Sequence, residues 1–196
     1  MEFLANAIMQ RIEKLPEGTP ISAKMLLALG TRAGVDQALS RLHRRGQLLR
    51  IGRGLYVMPV ESRFGKRAPN PEKVVEAFSA QRGETIAASP AAVANAFGLT
   101  TQVPVRSIYF TSGRSRKLNL GKQQVELKHA PGWQLGVGIE GEVVRALVWG
   151  GPAKVLETLA ALSKKIPATE FERIVQHGSR LPLWMVEPLS RQFHHA

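Results

Sequence analysis

The chain has 196 residues, which is enough for one large domain or two small ones with a buried core. Its 27 Lys and Arg against 15 Asp and Glu give a formal net charge of +12, which favours polyanionic partners without choosing among DNA, RNA and anionic lipid. The absence of cysteine excludes disulfides and thiolate metal sites, and Asp36, the only aspartate, cannot supply the carboxylate cluster of a metal-dependent nuclease.

Three helices are predicted before residue 46. Apolar residues spaced three and four apart predict the first over residues 2–15, a periodicity that also argues against a signal peptide. Its stripe is Phe3, Leu4, Ala7, Ile8, Ile12 and Leu15. Thr19 or Ser22 can cap the second helix, which Gly30 ends. Its core-facing residues are expected to be Met25, Leu26 and Leu29. Thr31 caps the third, which runs to about Arg45. Its inner stripe is Val35, Ala38, Leu39 and Leu42.

Two short β-prone runs follow, over residues 48–51 and 55–58, on either side of Gly52-Arg53-Gly54. This pattern predicts a β-hairpin with a cationic tip. Three helices followed by such a hairpin predict a winged helix-turn-helix DNA-binding domain over residues 1–60.

The third helix and the hairpin carry the candidate DNA contacts. In a helix-turn-helix the second helix of the pair lies in the major groove, where Arg can contact guanine and Gln adenine. The residues expected to read bases are Arg32, Gln37, Ser40 and Arg41. The residues expected to contact phosphates or the minor groove are Arg44, Arg45, Arg50 and Arg53. The alternative is an amphipathic helix with a solvated basic side, followed by a plain hairpin turn.

The rest of the chain is predicted to be a linker and a mixed α+β domain. Residues 61–71 hold two prolines, a glycine and three basic residues around Phe64, which is typical of a linker. Over residues 72–196 the pattern predicts strands at 105–111 and 123–129 and helices near 71–81, 142–149, 153–163 and 169–177. Ser89 before Pro90 is interpreted as the cap of a further helix, not as a nucleophile. The predicted fold class is therefore α+β.

Three stretches together carry a resemblance to a known family. The segment GRGLYVMP after a basic helix, followed by SPAAVANAFGLTTQVP and VRSIYFTSGRSRKLNLG, resembles the AbiEi-like antitoxins of bacterial type IV toxin–antitoxin (abortive infection) systems. The resemblance implies a cytoplasmic repressor that binds inverted repeats in its own operon through the N-terminal domain. It also implies that the C-terminal domain neutralises a nucleotidyltransferase-like toxin without a stable complex. It supplies no catalytic residue, metal or cofactor, so the chain is not expected to be an enzyme.

A second basic cluster lies in the predicted C-terminal domain and consists of Arg106, Arg114, Arg116, Lys117 and Lys122. It is interpreted either as a further surface for DNA, RNA or the toxin, or as a solvated loop between strands.

Three other functions fit the same residues. The main alternative is a winged-helix regulator whose C-terminal domain senses a ligand or partner, with no toxin. The others are an enzyme acting on nucleic acid and a structural RNA-binding protein. A single aspartate and no cysteine make the enzyme the least favoured of these.

Overall fold

The computed structural model describes residues 2–102 and 106–193, in which helices and strands are mixed. The α-helices are α1 (Glu2–Ile12), α2 (Arg32–Arg44), α3 (Pro71–Arg82), α4 (Pro90–Ala96), α5 (Gly138–Gly150), α6 (Val155–Leu162), α7 (Ala168–Gln176) and α8 (Leu183–Phe193). The strands are β1 (Leu49–Gly52), β2 (Leu55–Val57), β3 (Val60–Ser62), β4 (Gly65–Arg67), β5 (Ile86–Ala88), β6 (Ser107–Thr111), β7 (Arg116–Leu120) and β8 (Gln123–His129). This composition confirms the α+β class.

The chain divides into two compact units, which differ from the domains expected from the sequence. The first unit comprises residues 1–84 and 116–126, and the second comprises 85–115 and 127–196. The sequence predicts a linker at 61–71 and a second domain from residue 72, whereas α3 and β7 belong to the first unit. Long-range polar contacts connect α3 to the N-terminal part of this unit, because Glu17 accepts hydrogen bonds from the Asn70 amide at 3.2 Å and from the Lys73 ammonium at 2.5 Å.

The N-terminal helices are shorter and more exposed than predicted. Helix α1 ends at Ile12 rather than near residue 15, and Phe3 is 87% exposed instead of packing in the core. The segment Ala23–Leu29 is a 3₁₀-helix whose preceding residue makes no side-chain cap. Of its three expected core residues only Leu26 is buried, whereas Met25 is 40% and Leu29 37% exposed.

Helix α2 and the hairpin after it confirm the sequence prediction. The Thr31 hydroxyl caps α2 by accepting a hydrogen bond from the Gly34 amide at 3.2 Å. All four residues of the predicted inner stripe, Val35, Ala38, Leu39 and Leu42, are buried. Strands β1 and β2 pair antiparallel, with Leu49 opposite Val57 and a register irregularity before Gly52. The first unit therefore contains an amphipathic helix, packed on the core through its apolar side, and a β-hairpin that follows it in the chain.

Residues 60–67 form a second β-hairpin where the sequence predicts a linker. Strands β3 and β4 pair antiparallel, with Glu61 opposite Lys66 and Ser62 opposite Gly65. Gly65 has φ +97°, a conformation that favours glycine. The Ser62 hydroxyl closes the turn by donating to the Gly65 carbonyl at 2.6 Å. We call β3, β4 and their tip Arg63-Phe64 the Phe64 hairpin.

The second unit combines a strand pair with helices α4–α8. Strands β5 and β6 pair antiparallel, with Ile86 opposite Thr111 and Ala88 opposite Tyr109. The helices enclose an apolar core whose fully buried side chains include Leu147, Leu159 and Phe171. The predicted bounds of β8 are confirmed; the predicted start of β6 at residue 105 lies outside the described residues. Among the described helices, none has the length and hydropathy needed to cross a membrane.

Candidate nucleic-acid interface

The candidate interface in the first unit begins with the outward side of α2. Burial of the inner stripe leaves the polar residues on the remaining sides of the helix. Arg32, Gln37, Arg44 and Arg45 are exposed, while Ser40 and Arg41 are half-buried. Arg41 and Arg45 also take part in interactions within the protein. Of the predicted base readers, Arg32 and Gln37 are the ones whose side chains project most fully into solvent.

The Arg32 guanidinium forms an ion pair with Asp36 one helical turn away. The two side chains are joined by a 2.8 Å hydrogen bond from Nε to the carboxylate, and both remain well exposed to solvent. Exposed pairs of this spacing stabilise a helix by only about 0.3–0.5 kcal/mol. Arg32 can therefore exchange Asp36 for a phosphate or a base edge at little cost to the fold.

Polar and aromatic contacts fix the β1–β2 hairpin to the helical part of the first unit. The His43 ring of α2 is hydrogen-bonded through Nδ1 to the Leu48 carbonyl at 3.0 Å. The same ring lies 6.1 Å from the Tyr56 ring of β2, tilted by 55°. The Tyr56 and Ile21 backbones exchange two hydrogen bonds, of 2.7 and 2.9 Å. These contacts hold helix and hairpin in one arrangement, as a surface that binds a rigid duplex requires.

The tip of the β1–β2 hairpin presents Arg53 to solvent. Arg53 lies in the turn between the two strands and is exposed. The next residue, Gly54, has φ +64°, so a side chain there is strained even though the space around it is open. Arg50 on β1 is also exposed, and its Nε donates to the Gly52 carbonyl at 3.3 Å. Both arginines are thus available at the surface, as a wing contact needs.

The second basic cluster is divided between the two units. Arg106 and Arg114 belong to the second unit and are exposed, and Arg114 takes part in further interactions. Lys117 and Lys122 belong to the first unit and are exposed. Arg116 is half-buried in the first unit, with Nη2 donating to Glu84 at 3.0 Å and its guanidinium 5.0 Å from the Phe78 ring centroid. Arg116 therefore has a packing role that the sequence does not reveal.

A surface cavity joins the end of α2 to the Phe64 hairpin. It has a volume of about 640 Å³ and lies within the first unit. Its wall includes Gly46 at the end of α2, Leu49 of β1, Lys66 and Arg67 of β4, and Lys122. Three exposed cations therefore surround an opening beside the last turn of α2, where Arg44 and Arg45 were expected to hold phosphates.

The tip of the Phe64 hairpin is an exposed feature that the sequence does not predict. Phe64 is 86% exposed and the Arg63 guanidinium lies 4.7 Å from its ring centroid. Lys66 and Arg67 on the adjoining strand are exposed as well. The signal in the sequence is a lone aromatic flanked by cations and a glycine, in a segment whose prolines favoured a linker.

In the second unit, the most unusual polar residue is Arg145 of α5, which is only 4% exposed. Its Nη1 donates to the carbonyls of Gln134 at 3.1 Å and Gly136 at 2.8 Å. Burial lowers its pKa, and Glu142 opposes that shift. Among the described residues its Nε has no hydrogen-bond partner. These bonds tie the segment before α5 to the helix, which is a structural role.

In the described part of the chain, no three His, Asp or Glu side chains lie close enough together to hold a metal ion.

No curated protein matches the sequence. A family of unknown function, DUF6088, matches residues 7–169, which include α2, both hairpins and much of the second unit. Because the match covers well over half of its length, the chain belongs to the DUF6088 family.

Proposed function

We propose that this protein is a transcriptional repressor that binds duplex DNA through a winged helix-turn-helix in its first unit. Helix α2 enters the major groove, and the β1–β2 hairpin contacts the flanking backbone or minor groove. A single such element reads one half-site, so two copies bind an inverted repeat, either as a dimer or by cooperative loading. This role places the protein in the cytoplasm with its DNA target.

The observation that carries the proposal is the fixed arrangement of α2 and the β1–β2 hairpin. An amphipathic helix with a merely solvated basic side requires no hairpin in a fixed position beside it. Here the His43 ring of α2 is hydrogen-bonded to the Leu48 carbonyl and lies beside the Tyr56 ring of β2, so the helix and the hairpin are directly connected. Exposed cations stand on both elements, with Arg44 on the helix and Arg53 on the tip. A rigid surface with spaced cations suits a duplex, whose phosphates repeat at fixed distances.

The proposal extends to an antitoxin role on the strength of the sequence resemblance. In this role the protein represses its own operon, and the second unit neutralises a nucleotidyltransferase-like toxin without forming a stable complex with it. Coexpression with a nucleotidyltransferase encoded beside it is expected to restore growth that the toxin alone arrests. Without such a gene nearby, or without rescue, the chain is a regulator whose second unit responds to another signal.

Binding to the upstream intergenic DNA tests the proposal. The full chain is titrated against a labelled duplex of that region and against a shuffled duplex of the same length. We expect tighter binding to the upstream duplex. Gln37→Ala should reduce this preference, because Gln37 is exposed on α2 and can pair with adenine. Gln10→Ala is the matched control, since Gln10 is exposed on α1, away from the predicted contacts.

Two outcomes would contradict the assignment. One is equal affinity of the wild-type chain for both duplexes, together with an unchanged ratio in Gln37→Ala. The other is preferential binding to RNA when duplex DNA and RNA compete, which would favour the structural RNA-binding role.

A further inference from the structure

We propose that the Phe64 hairpin is a second contact with duplex DNA, in which Phe64 enters a base step from the minor groove. The inference rests on the proposed function and adds a DNA-deforming site to it. In this arrangement the cations beside Phe64 hold the phosphates on either side of the opened step.

The tip of the hairpin is ordered before any ligand binds. The Ser62 hydroxyl donates to the Gly65 carbonyl at 2.6 Å and accepts from the Phe64 amide at 3.3 Å. These bonds fix the backbone on both sides of Phe64, so the ring projects from a defined turn. A preorganised contact loses less conformational entropy on binding than a flexible linker does.

The Phe64 ring is held in solvent, with no core beneath it. It is 86% exposed, and its near neighbour is the Arg63 guanidinium at 4.7 Å from the ring centroid. A cation over a ring face shields part of an aromatic surface while the protein is free. On DNA the same guanidinium can move to a phosphate and leave the ring to stack.

The cations of the hairpin are weakly engaged within the protein. Lys66 lies 3.6 Å from the Glu61 carboxylate, in a pair whose side chains are both largely exposed. Arg67 donates through Nη1 to the carbonyl of the adjacent Ala68 at 3.1 Å. An exposed ion pair such as that of Lys66 exchanges readily for another anion.

The base of the hairpin lies near the predicted DNA-reading helix. Lys66 and Arg67 line the same cavity as Gly46, two residues beyond the end of α2, and Leu49, which begins β1. Only two residues separate β2 from β3. A duplex seated on α2 therefore passes close to the second hairpin.

Duplex DNA suits this tip better than a membrane or a protein partner. A single aromatic side chain offers too little apolar surface to anchor a chain to a bilayer, where even one acyl chain binds only marginally. A stable protein interface needs an extended patch with a buried central cluster, whereas this tip carries one apolar residue among cations. Apolar wedges flanked by basic residues are instead typical of proteins that kink DNA through the minor groove.

Bending of a short duplex measures this contact directly. The upstream duplex is labelled with a donor and an acceptor dye at its ends, and energy transfer and affinity are measured with the full chain. We expect wild-type protein to shorten the end-to-end distance. Phe64→Ala should abolish the shortening and weaken binding about tenfold, the lower part of the range for loss of a base–aromatic stack. Phe64→Trp should retain both properties.

Phe3→Ala is the matched control, because Phe3 is 87% exposed and lies in the same unit. It should bend and bind DNA as the wild type does. Both variants remove an exposed ring, so their thermal unfolding midpoints should stay near that of the wild type.

The outcomes separate the two proposals. If the wild type binds the duplex but Phe64→Ala leaves bending and affinity unchanged, the inference fails and the proposed function stands. If the wild type binds no duplex, both fail. If Phe64→Ala abolishes cosedimentation with phosphatidylserine vesicles while bending is unaffected, the tip is a membrane contact and the inference is wrong.

Discussion

Replacing Arg53 with alanine removes an exposed cation from the tip of the β1–β2 hairpin without disturbing the core. If its guanidinium neutralises one phosphate, the slope of log K against log salt should fall in magnitude by about 0.9. Between about 50 and 200 mM salt, the wild type should then lose roughly 3.5-fold more affinity than the variant. The effect should be the same for the upstream and the shuffled duplex, because a phosphate contact does not read sequence.

Fluorescence anisotropy of a labelled duplex over a salt series measures this slope. Arg11→Ala is the control, because Arg11 is exposed in the last turn of α1 and its replacement changes the net charge by the same amount. We expect the Arg11 variant to keep the wild-type slope. Identical slopes for both variants and the wild type would show that Arg53 meets no phosphate, and the role of the hairpin as a wing would fail.

Three further predictions concern the stability of the fold. Leu39→Ala should lower the free energy of unfolding by about 3 kcal/mol in urea titrations, because Leu39 is completely buried; a change under about 1 kcal/mol would mean that α2 does not pack as described. Gly141→Ala should cost about 3 kcal/mol in the same titration, because a Cβ there would lie 1.9 Å from the Gly136 carbonyl oxygen; full stability would contradict this close approach. The Lys73 hydrogen bond lowers the pKa of Glu17, so its contribution is present at neutral pH and is lost as the pH falls through that pKa. The thermal midpoint of Glu17→Gln should therefore lie below that of the wild type at neutral pH, and the difference should shrink as the pH falls through the lowered pKa of Glu17, whereas a constant difference would refute the contact.

Helix α2 and the β1–β2 hairpin could be predicted because their signals are local. A capping threonine, a buried stripe of period 3.6 and a Gly-Arg-Gly turn all lie within about thirty residues. The Ala23–Leu29 segment could not, because its apolar residues run together without a period that separates buried from exposed positions.

The extent of the first unit depends on contacts that no local pattern contains. Glu17 meets Asn70 and Lys73, more than fifty positions away, and this places α3 in the first unit. Arg116 appears in the sequence as one cation of a basic cluster, and only its meeting with Glu84 reveals a structural role.

The Phe64 hairpin could not be predicted from the sequence for a different reason. Its strands have three residues each, too short for an alternating pattern to emerge. The nearby prolines outweighed the single glycine that marks the turn. Ser62 closes the turn through its hydroxyl, and nothing in the sequence around it indicates that role. The sequence therefore predicts the α2 and β1–β2 part of the candidate site but not the Phe64 hairpin.

Hydrogen exchange of the full chain, with and without the upstream duplex, reports which elements meet DNA. If α2 and the β1–β2 hairpin bind the duplex, exchange should slow over residues 32–57, which hold both elements, and stay unchanged over α6 and α7. Protection confined to the second unit, or no protection at DNA concentrations that saturate binding, would contradict it.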